Sequence, residues 1–222
     1  KVMLVDKLLL SVVQWTVKKY NIMTNKKFDP AMAINSVAGI STERGINPSV
    51  NDSATFCFPK GQTMTDTFHG ETEGYFLYSR HWNPSNLSLC NALAAMEGTE
   101  AAWVTGSGMA AITCALLQCV EKGDHIVASM TVYGGTFAFL GNYVKKFGID
   151  VTFVDTTNLE QVKAAVKPNT KVIYTETMSN PLLRISNVGE LRKIADTVGA
   201  KLIIDNTFTP MIFSPYVLGA HV

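Results

Sequence analysis

Between residues 101 and 205 the chain alternates apolar runs of strand length with segments of helical spacing, and this alternation limits the fold more than any other feature. Candidate strands cover residues 101–105, 125–129, 151–155, 171–176 and 202–205; candidate helices cover 109–120, 136–147, 159–166 and 188–198. At roughly 25 residues per unit, the alternation predicts right-handed βαβ crossovers and a mostly parallel sheet covered on both faces. The expected fold class is therefore α/β, doubly wound. Ahead of this region Leu89, Leu93 and Met96 fall at helical spacing, and Glu97-Gly98-Thr99-Glu100 closes that helix in a turn.

The length of 222 residues and the 47% hydrophobic content suit one sizeable α/β domain with an additional segment. Residues 23–84 show little periodicity and recurrent Gly, Pro, Asn and Thr, and predict an extended arm with short helices that packs on a neighbouring subunit or contributes to a site. Residues 85–222 are then the α/β domain, expected to be incomplete because a new apolar run begins at residue 218. Residues 1–22 read as an appended or targeting extension ahead of a natural start at Met23. Their apolar run from Leu8 to Val17 is too short to span a bilayer.

The formal charge of +1 arises from 19 basic and 18 acidic residues with no block of one sign, so a nucleic-acid partner is not expected. Cys57, Cys90, Cys114 and Cys119 form no C-x-x-C pair, and His69, His81, His125 and His221 lack ligand spacing. Free buried thiols and no metal site are the expectation.

Chemistry-bearing residues gather where the candidate strands end. Gly106-Ser107-Gly108-Met109-Ala110-Ala111 follows the first strand and opens a helix, a place where unpaired N–H groups and the helix dipole favour a phosphate. The same residues match the dinucleotide pattern G-x-G-x-x-A, which expects an acid about 20 residues on. The next strand ends in Ser129-Met130-Thr131 without one. The paired glycines of Tyr133-Gly134-Gly135 bend the chain and leave Tyr133 able to stack on a flat ring or to move a proton. Glu176 and Asn180 mark the fourth strand end. Asp205-Asn206-Thr207 closes a strand buried on both faces, and a carboxylate there needs a cation. A phosphate for the Ser107 helix, a ring for Tyr133, a polar substituent for Asn180 and a basic ring nitrogen for Asp205 are all met by pyridoxal phosphate. A carboxylate at that nitrogen keeps it protonated, and the ring then remains an electron sink.

Five motifs, Tyr78-Ser79-Arg80-His81-Trp82-Asn83-Pro84, Ser107-Gly108-Met109-Ala110-Ala111, Tyr133-Gly134-Gly135-Thr136, Glu176-Thr177-Met178-Ser179-Asn180-Pro181 and Asp205-Asn206-Thr207, together resemble those of the Cys/Met-metabolism enzymes of fold type I. Within that family they are most similar to the methionine γ-lyases. The resemblance runs from about residue 28 to the end. It implies that Ser107, Gly108 and Met109 hold the phosphate, Tyr133 stacks on the ring and acts as acid toward the leaving sulfur, Asn180 meets the ring hydroxyl, and Asp205 with Thr207 serves the ring nitrogen. It further implies a cytoplasmic homodimer or homotetramer, with Tyr78 and Arg80 reaching a partner subunit's phosphate, and a small sulfur amino acid as substrate. The expected reaction is γ-elimination of L-methionine; synthesis or cleavage of cystathionine and sulfhydrylation of O-acylhomoserine are the alternatives within the family. Two departures stand out. The family's cofactor-anchoring lysine would fall roughly seven residues past Val222, so residues 1–222 alone are expected to be inactive. Gly135 stands where many bacterial methionine γ-lyases carry Cys.

Overall fold

The computed structural model describes residues 47–72 and 74–222; the extension expected at 1–22 and the part of the arm at 23–46 lie outside the described residues. Two compact units divide the chain, Lys1–Val104 and Thr105–Val222.

The first unit contains α1 (Gly61–Phe68) and α2 (Pro84–Glu97). The start of α2 follows from local chemistry: the Asn83 side chain accepts the Ser85 N–H at 2.8 Å, and Pro84 sits at the first helical position, where its missing N–H costs nothing. Gly98, with φ 71°, turns the chain out of the helix in the left-handed conformation. The Asn83 amide also donates to the Asn51 carbonyl (3.1 Å) and to Ser79 Oγ (2.8 Å), tying the extended segment to the aromatic run. Tyr78 bridges Thr55 antiparallel, and Trp82 stacks on Trp103 with ring centroids 4.4 Å apart.

The second unit is the α/β layer structure. Its elements are α3 (Gly108–Leu117), β1 (His125–Ser129), α4 (Gly134–Ala138), β2 (Asp150–Val154), α5 (Leu159–Ala165), β3 (Thr170–Glu176), α6 (Val188–Asp196) and β4 (Lys201–Asp205). The strands form one sheet in the order β2-β1-β3-β4, and every pairing is parallel. Strand side chains alternate between two cores, which is why β1 and β3 read as unbroken apolar runs. Val127, Ile173, Leu202 and Ile204 pack with Val162 of α5 and Leu191, Ile194 and Ala195 of α6. Ile126, Ala128, Val172, Tyr174 and Ile203 pack with Leu116 of α3, Leu140 and Val144 on the other face. The connection from β1 to β2 leaves in one direction and those from β2 to β3 and β4 in the other, so crossovers of one hand put their helices on opposite faces.

Two expectations are corrected. Residues 101–105 form no strand: an apolar, partly β-branched run favours extended backbone, but a strand also needs a ladder partner. The free edge of β4 is instead taken by the segment at Val222, whose N–H donates to Leu202 O (3.3 Å) and whose carbonyl accepts from Ile204 N (2.9 Å). The helix expected over 136–147 starts two residues earlier and is not uniformly α; a π turn at Phe139–Tyr143 and a 3-10 turn at Val144–Phe147 continue α4. Thr136, Leu140 and Val144 are all buried, at a spacing of four residues that exceeds the α period of 3.6. A wider turn keeps all of them facing the sheet. No helix among the described residues is long and apolar enough to cross a membrane.

Candidate active site

In an open parallel sheet the ligand crevice lies outside the carboxyl ends of two adjacent strands whose connections leave in opposite directions. Here those strands are β1 and β3. Tyr133 follows β1, Glu176 ends β3, and the two meet: the Tyr133 N–H donates to Glu176 Oε1 at 2.6 Å. Glu176 is 7% exposed. Burial pushes its carboxyl above the usual range, the Tyr133 N–H opposes this, and the Asp205 charge adds to it. The Tyr133 ring, 55% exposed, stands open over the crevice.

Asp205 ends β4 beside Glu176 in the strand register. Its Oδ1 accepts both the Thr207 N–H (3.0 Å) and the Thr207 hydroxyl, an arrangement that fixes the carboxylate plane. Oδ2 takes the Tyr174 phenol at 3.4 Å. Tyr174 is almost fully buried, and burial first and the Asp205 charge second push its pKa far above the phenol range, so it remains a neutral donor. The Thr136 hydroxyl donates to Met109 Sδ at 3.8 Å.

The start of α3 is built to receive an anion. Ser107 caps the helix by accepting the Ala110 N–H at 3.1 Å, while Gly108 and Met109 lie in the first turn, where N–H groups have no intrahelical acceptor. A Cβ added at Gly106 or Gly108 would meet no atom within 4 Å, so the backbone there is open to close approach. Gly135 is different. A Cβ on it would lie 2.6 Å from Tyr133 Cε1 and 3.1 Å from Met109 Sδ, so the ring rests directly over a glycine.

The Asn180 loop is pinned at several points. Met178 and Ile185 bridge antiparallel, Leu183 N donates to Ser179 O (2.8 Å), and the Arg184 guanidinium pairs with Asp155 at the end of β2. Asn180 itself is exposed.

Ser107, Gly108, Met109, Tyr133, Asn180, Asp205 and Thr207 thus all fall in the second unit, at the edge formed by the strand ends and the start of α3. Thr207 bonds Asp205, which makes it the holder of the acid. Tyr78 and Arg80 belong to the first unit, where the Arg80 guanidinium sits 5.3 Å from the centroid of the Tyr78 ring. Three contributors went unassigned in the sequence: Glu176, Tyr174 and Thr136. A Tyr beside Val172 and Ile173 in β3 was a legible signal, because a buried phenol needs a partner.

These features define a class: a doubly wound α/β unit whose carboxyl edge combines an open helix start, an exposed tyrosine ring and a braced carboxylate. Residues 32–222 match the family described as Cys/Met metabolism PLP-dependent enzyme, and the chain belongs to that family. It is 42% identical over 200 residues to a methionine gamma-lyase of Arabidopsis thaliana, covering 87% of this chain and 45% of that protein. A cystathionine gamma-lyase of Bacillus subtilis is 44% identical over 154 residues, 69% of this chain and 40% of that protein. A Campylobacter jejuni structure containing N'-pyridoxyl-lysine-5'-monophosphate superposes with a TM-score of 0.81 at 28% identity, covering 87% of this chain and 48% of that one. The chain spans about half the length of these relatives. Family membership sets aside the dinucleotide alternative, in keeping with the absence of an acid at the end of β1.

The residues present fit the family's cofactor. The open backbone at Gly106 and Gly108 accommodates a phosphate, and the Asp205 carboxylate, braced by Thr207 and Tyr174, is a ready partner for a pyridinium nitrogen.

Proposed function

We propose that this chain is the cofactor-binding portion of a pyridoxal-phosphate-dependent carbon–sulfur lyase that eliminates the thiol from Cγ of L-methionine, giving methanethiol, 2-oxobutanoate and ammonia. The observation that carries it is Asp205, a carboxylate fixed by two bonds from Thr207 and one from Tyr174 at the ligand edge of a parallel sheet. Bound there, pyridoxal phosphate supplies an electron sink for the substrate's Cα. The chain's own residues do the rest. Gly108 and Met109 offer N–H groups to the phosphate, with Ser107 beside them. Asp205 would hold the proton on the ring nitrogen, and Asn180 would meet the ring hydroxyl. Tyr133 would stack on the ring, and its phenol would supply a proton to the departing sulfur.

Within the family reading, Tyr78 and Arg80 reach the phosphate of a neighbouring copy, which makes a homodimer the smallest active unit and a cytoplasmic homotetramer the whole. A guanidinium fork suits that phosphate. Lys201 begins β4, at the end opposite Asp205, so it is not the anchoring lysine. Turnover is accordingly assigned to a protein that includes a lysine at the ring site, and residues 1–222 alone are predicted to be inactive.

The similarity to a cystathionine gamma-lyase keeps a second substrate in view. Incubating the complete enzyme separately with L-methionine, L-cystathionine, and O-acetylhomoserine plus sulfide, and quantifying 2-oxobutanoate and methanethiol, separates the choices. Methanethiol with an equal amount of keto acid supports the proposal. Turnover of O-acetylhomoserine with no keto acid from methionine refutes it.

A further inference from the structure

Asn180 stands on a loop that follows β3, and the contacts that hold this loop reach the end of β2. In the sheet β1 separates β2 from β3, so no ladder hydrogen bond joins those two strands. Side chains join them instead. The Arg184 guanidinium pairs with Asp155 Oδ2, one residue past β2. Asp155 is itself held, because its Oδ1 accepts the Thr157 N–H at 3.0 Å and the Thr157 hydroxyl at 2.6 Å. In neighbouring residues three buried hydroxyls close a triangle. Thr156 lies 3.0 Å from Thr175 of β3 and 3.3 Å from Ser186, and Thr175 lies 2.9 Å from Ser186.

Within the loop, the Arg184 N–H donates to Ser179 Oγ at 3.1 Å, and the Arg184 carbonyl accepts the Ser179 N–H at 3.0 Å. Arg184 is therefore joined by its backbone to the residue before Asn180 and by its side chain to the end of β2. Leu183, between them, has φ 54°, a left-handed backbone that a leucine keeps only where its surroundings hold it.

We infer that Arg184, anchored by Asp155, is a positioning residue: it latches the loop to the end of β2 and thereby fixes Asn180 at the ligand edge of the sheet. It acts through Asn180. The ring hydroxyl that Asn180 meets rests on the proposed function; the latch does not. The two side chains of the pair are 46% and 24% exposed, so the pair contributes little to global stability, and its loss is felt in the loop before the sheet.

Hydrogen–deuterium exchange of the complete enzyme, as isolated, tests the latch. Arg184→Met is expected to speed exchange over residues 183–186 about threefold, the scale of a partly exposed ion pair, with residues 170–176 unchanged. Asp155→Asn should do the same, and the two changes together should do no more than either alone, as for partners in one interaction. Arg184→Lys, which keeps the charge, should retain most of the protection. Unchanged exchange in Arg184→Met, additive effects of the two changes, or equal speeding over residues 170–176 would overturn the latch. Should Asp155→Asn not fold, the two Arg184 variants decide.

Titration of the cofactor-free complete enzyme with pyridoxal phosphate asks whether the latch serves Asn180. Asn180→Ala is expected to weaken binding about fivefold, as for one lost hydrogen bond, and Arg184→Met about threefold. In the Asn180→Ala background, Arg184→Met should add nothing. The same loss in both backgrounds would mark Arg184 as merely structural and overturn the positioning role. If Asn180→Ala binds as wild type does, the ring-hydroxyl assignment in the proposed function fails, and the exchange measurement judges the latch by itself.

Discussion

Placing a single methyl group at residue 135 should disable the ring stack without unfolding the domain. In Gly135→Ala the new Cβ would stand 2.6 Å from Tyr133 Cε1, 3.2 Å from Cδ1 and 3.1 Å from Met109 Sδ. Carbon atoms pack at about 3.5–4.0 Å, so the ring must withdraw by about 1 Å. Its backbone cannot follow, because the Tyr133 N–H is held by Glu176. The side chain must rotate instead, and with 55% of the residue exposed it has solvent to rotate into. The cost to folding is therefore expected near the low end of the range for overpacking, about 1 kcal/mol. The cost to ligand binding is the lost stack, about 0.5–1.5 kcal/mol, which corresponds to roughly two- to twelvefold weaker binding. Absorbance titration with pyridoxal phosphate, paired with thermal melts, measures both effects. Tyr133→Phe serves as control, because it keeps the ring and should bind within about twofold of wild type. Unchanged affinity in Gly135→Ala, or a collapse of the fold with no specific loss of binding, would refute the reasoning. Family members with Cys at this position must then carry the tyrosine ring in a different pose.

Other outcomes follow from the same geometry. Asp205→Ala removes a charge-assisted hydrogen bond of about 1.5–3 kcal/mol, so pyridoxal phosphate affinity should fall roughly 10- to 150-fold in equilibrium titration. His125 is fully buried between Thr170 and Thr152, with both ring nitrogens 2.8 Å from hydroxyl oxygens. Burial first and Lys167 second lower its pKa, with Asp150 opposing. The unfolded chain then binds the proton more readily, so stability is complete above about pH 6.5 and declines as the pH falls below it. Melts at pH 7.5 and 5.5 should show this decline, and His125→Gln should reduce it. Burial also raises the Cys90 and Cys119 thiols, while Cys57 and Cys114 are exposed, which corrects the expectation that all four thiols are buried. A disulfide exchange reagent should therefore modify Cys57 and Cys114 first, and mass mapping of the early adducts checks the order.

The sheet was legible because β1, β3 and β4 are buried on both faces and therefore read as unbroken apolar runs. Their ends consequently located Tyr133, Asn180 and Asp205 at one edge. The same logic misled at residues 101–105, where the run looks similar but no ladder partner is present among the described residues. Composition reports what a segment prefers, not whether a neighbour is present. Glu176 was visible as an acid at a strand end, yet its role depends on an N–H 43 residues away. Gly135 likewise looked like a bend residue, and only the position of the Tyr133 ring shows what a side chain there would displace. The π turn after α4 reflects a demand of the sheet surface on Leu140 and Val144, not a local preference of Phe139–Tyr143.

The most direct test of the central claim is a crystal structure of the protein bound to pyridoxal phosphate. The account predicts the phosphate against the N–H groups of Gly108 and Met109, the ring beneath Tyr133, and the ring nitrogen within about 3 Å of an Asp205 oxygen. Density for the cofactor elsewhere, or a ring nitrogen turned away from Asp205, would contradict it.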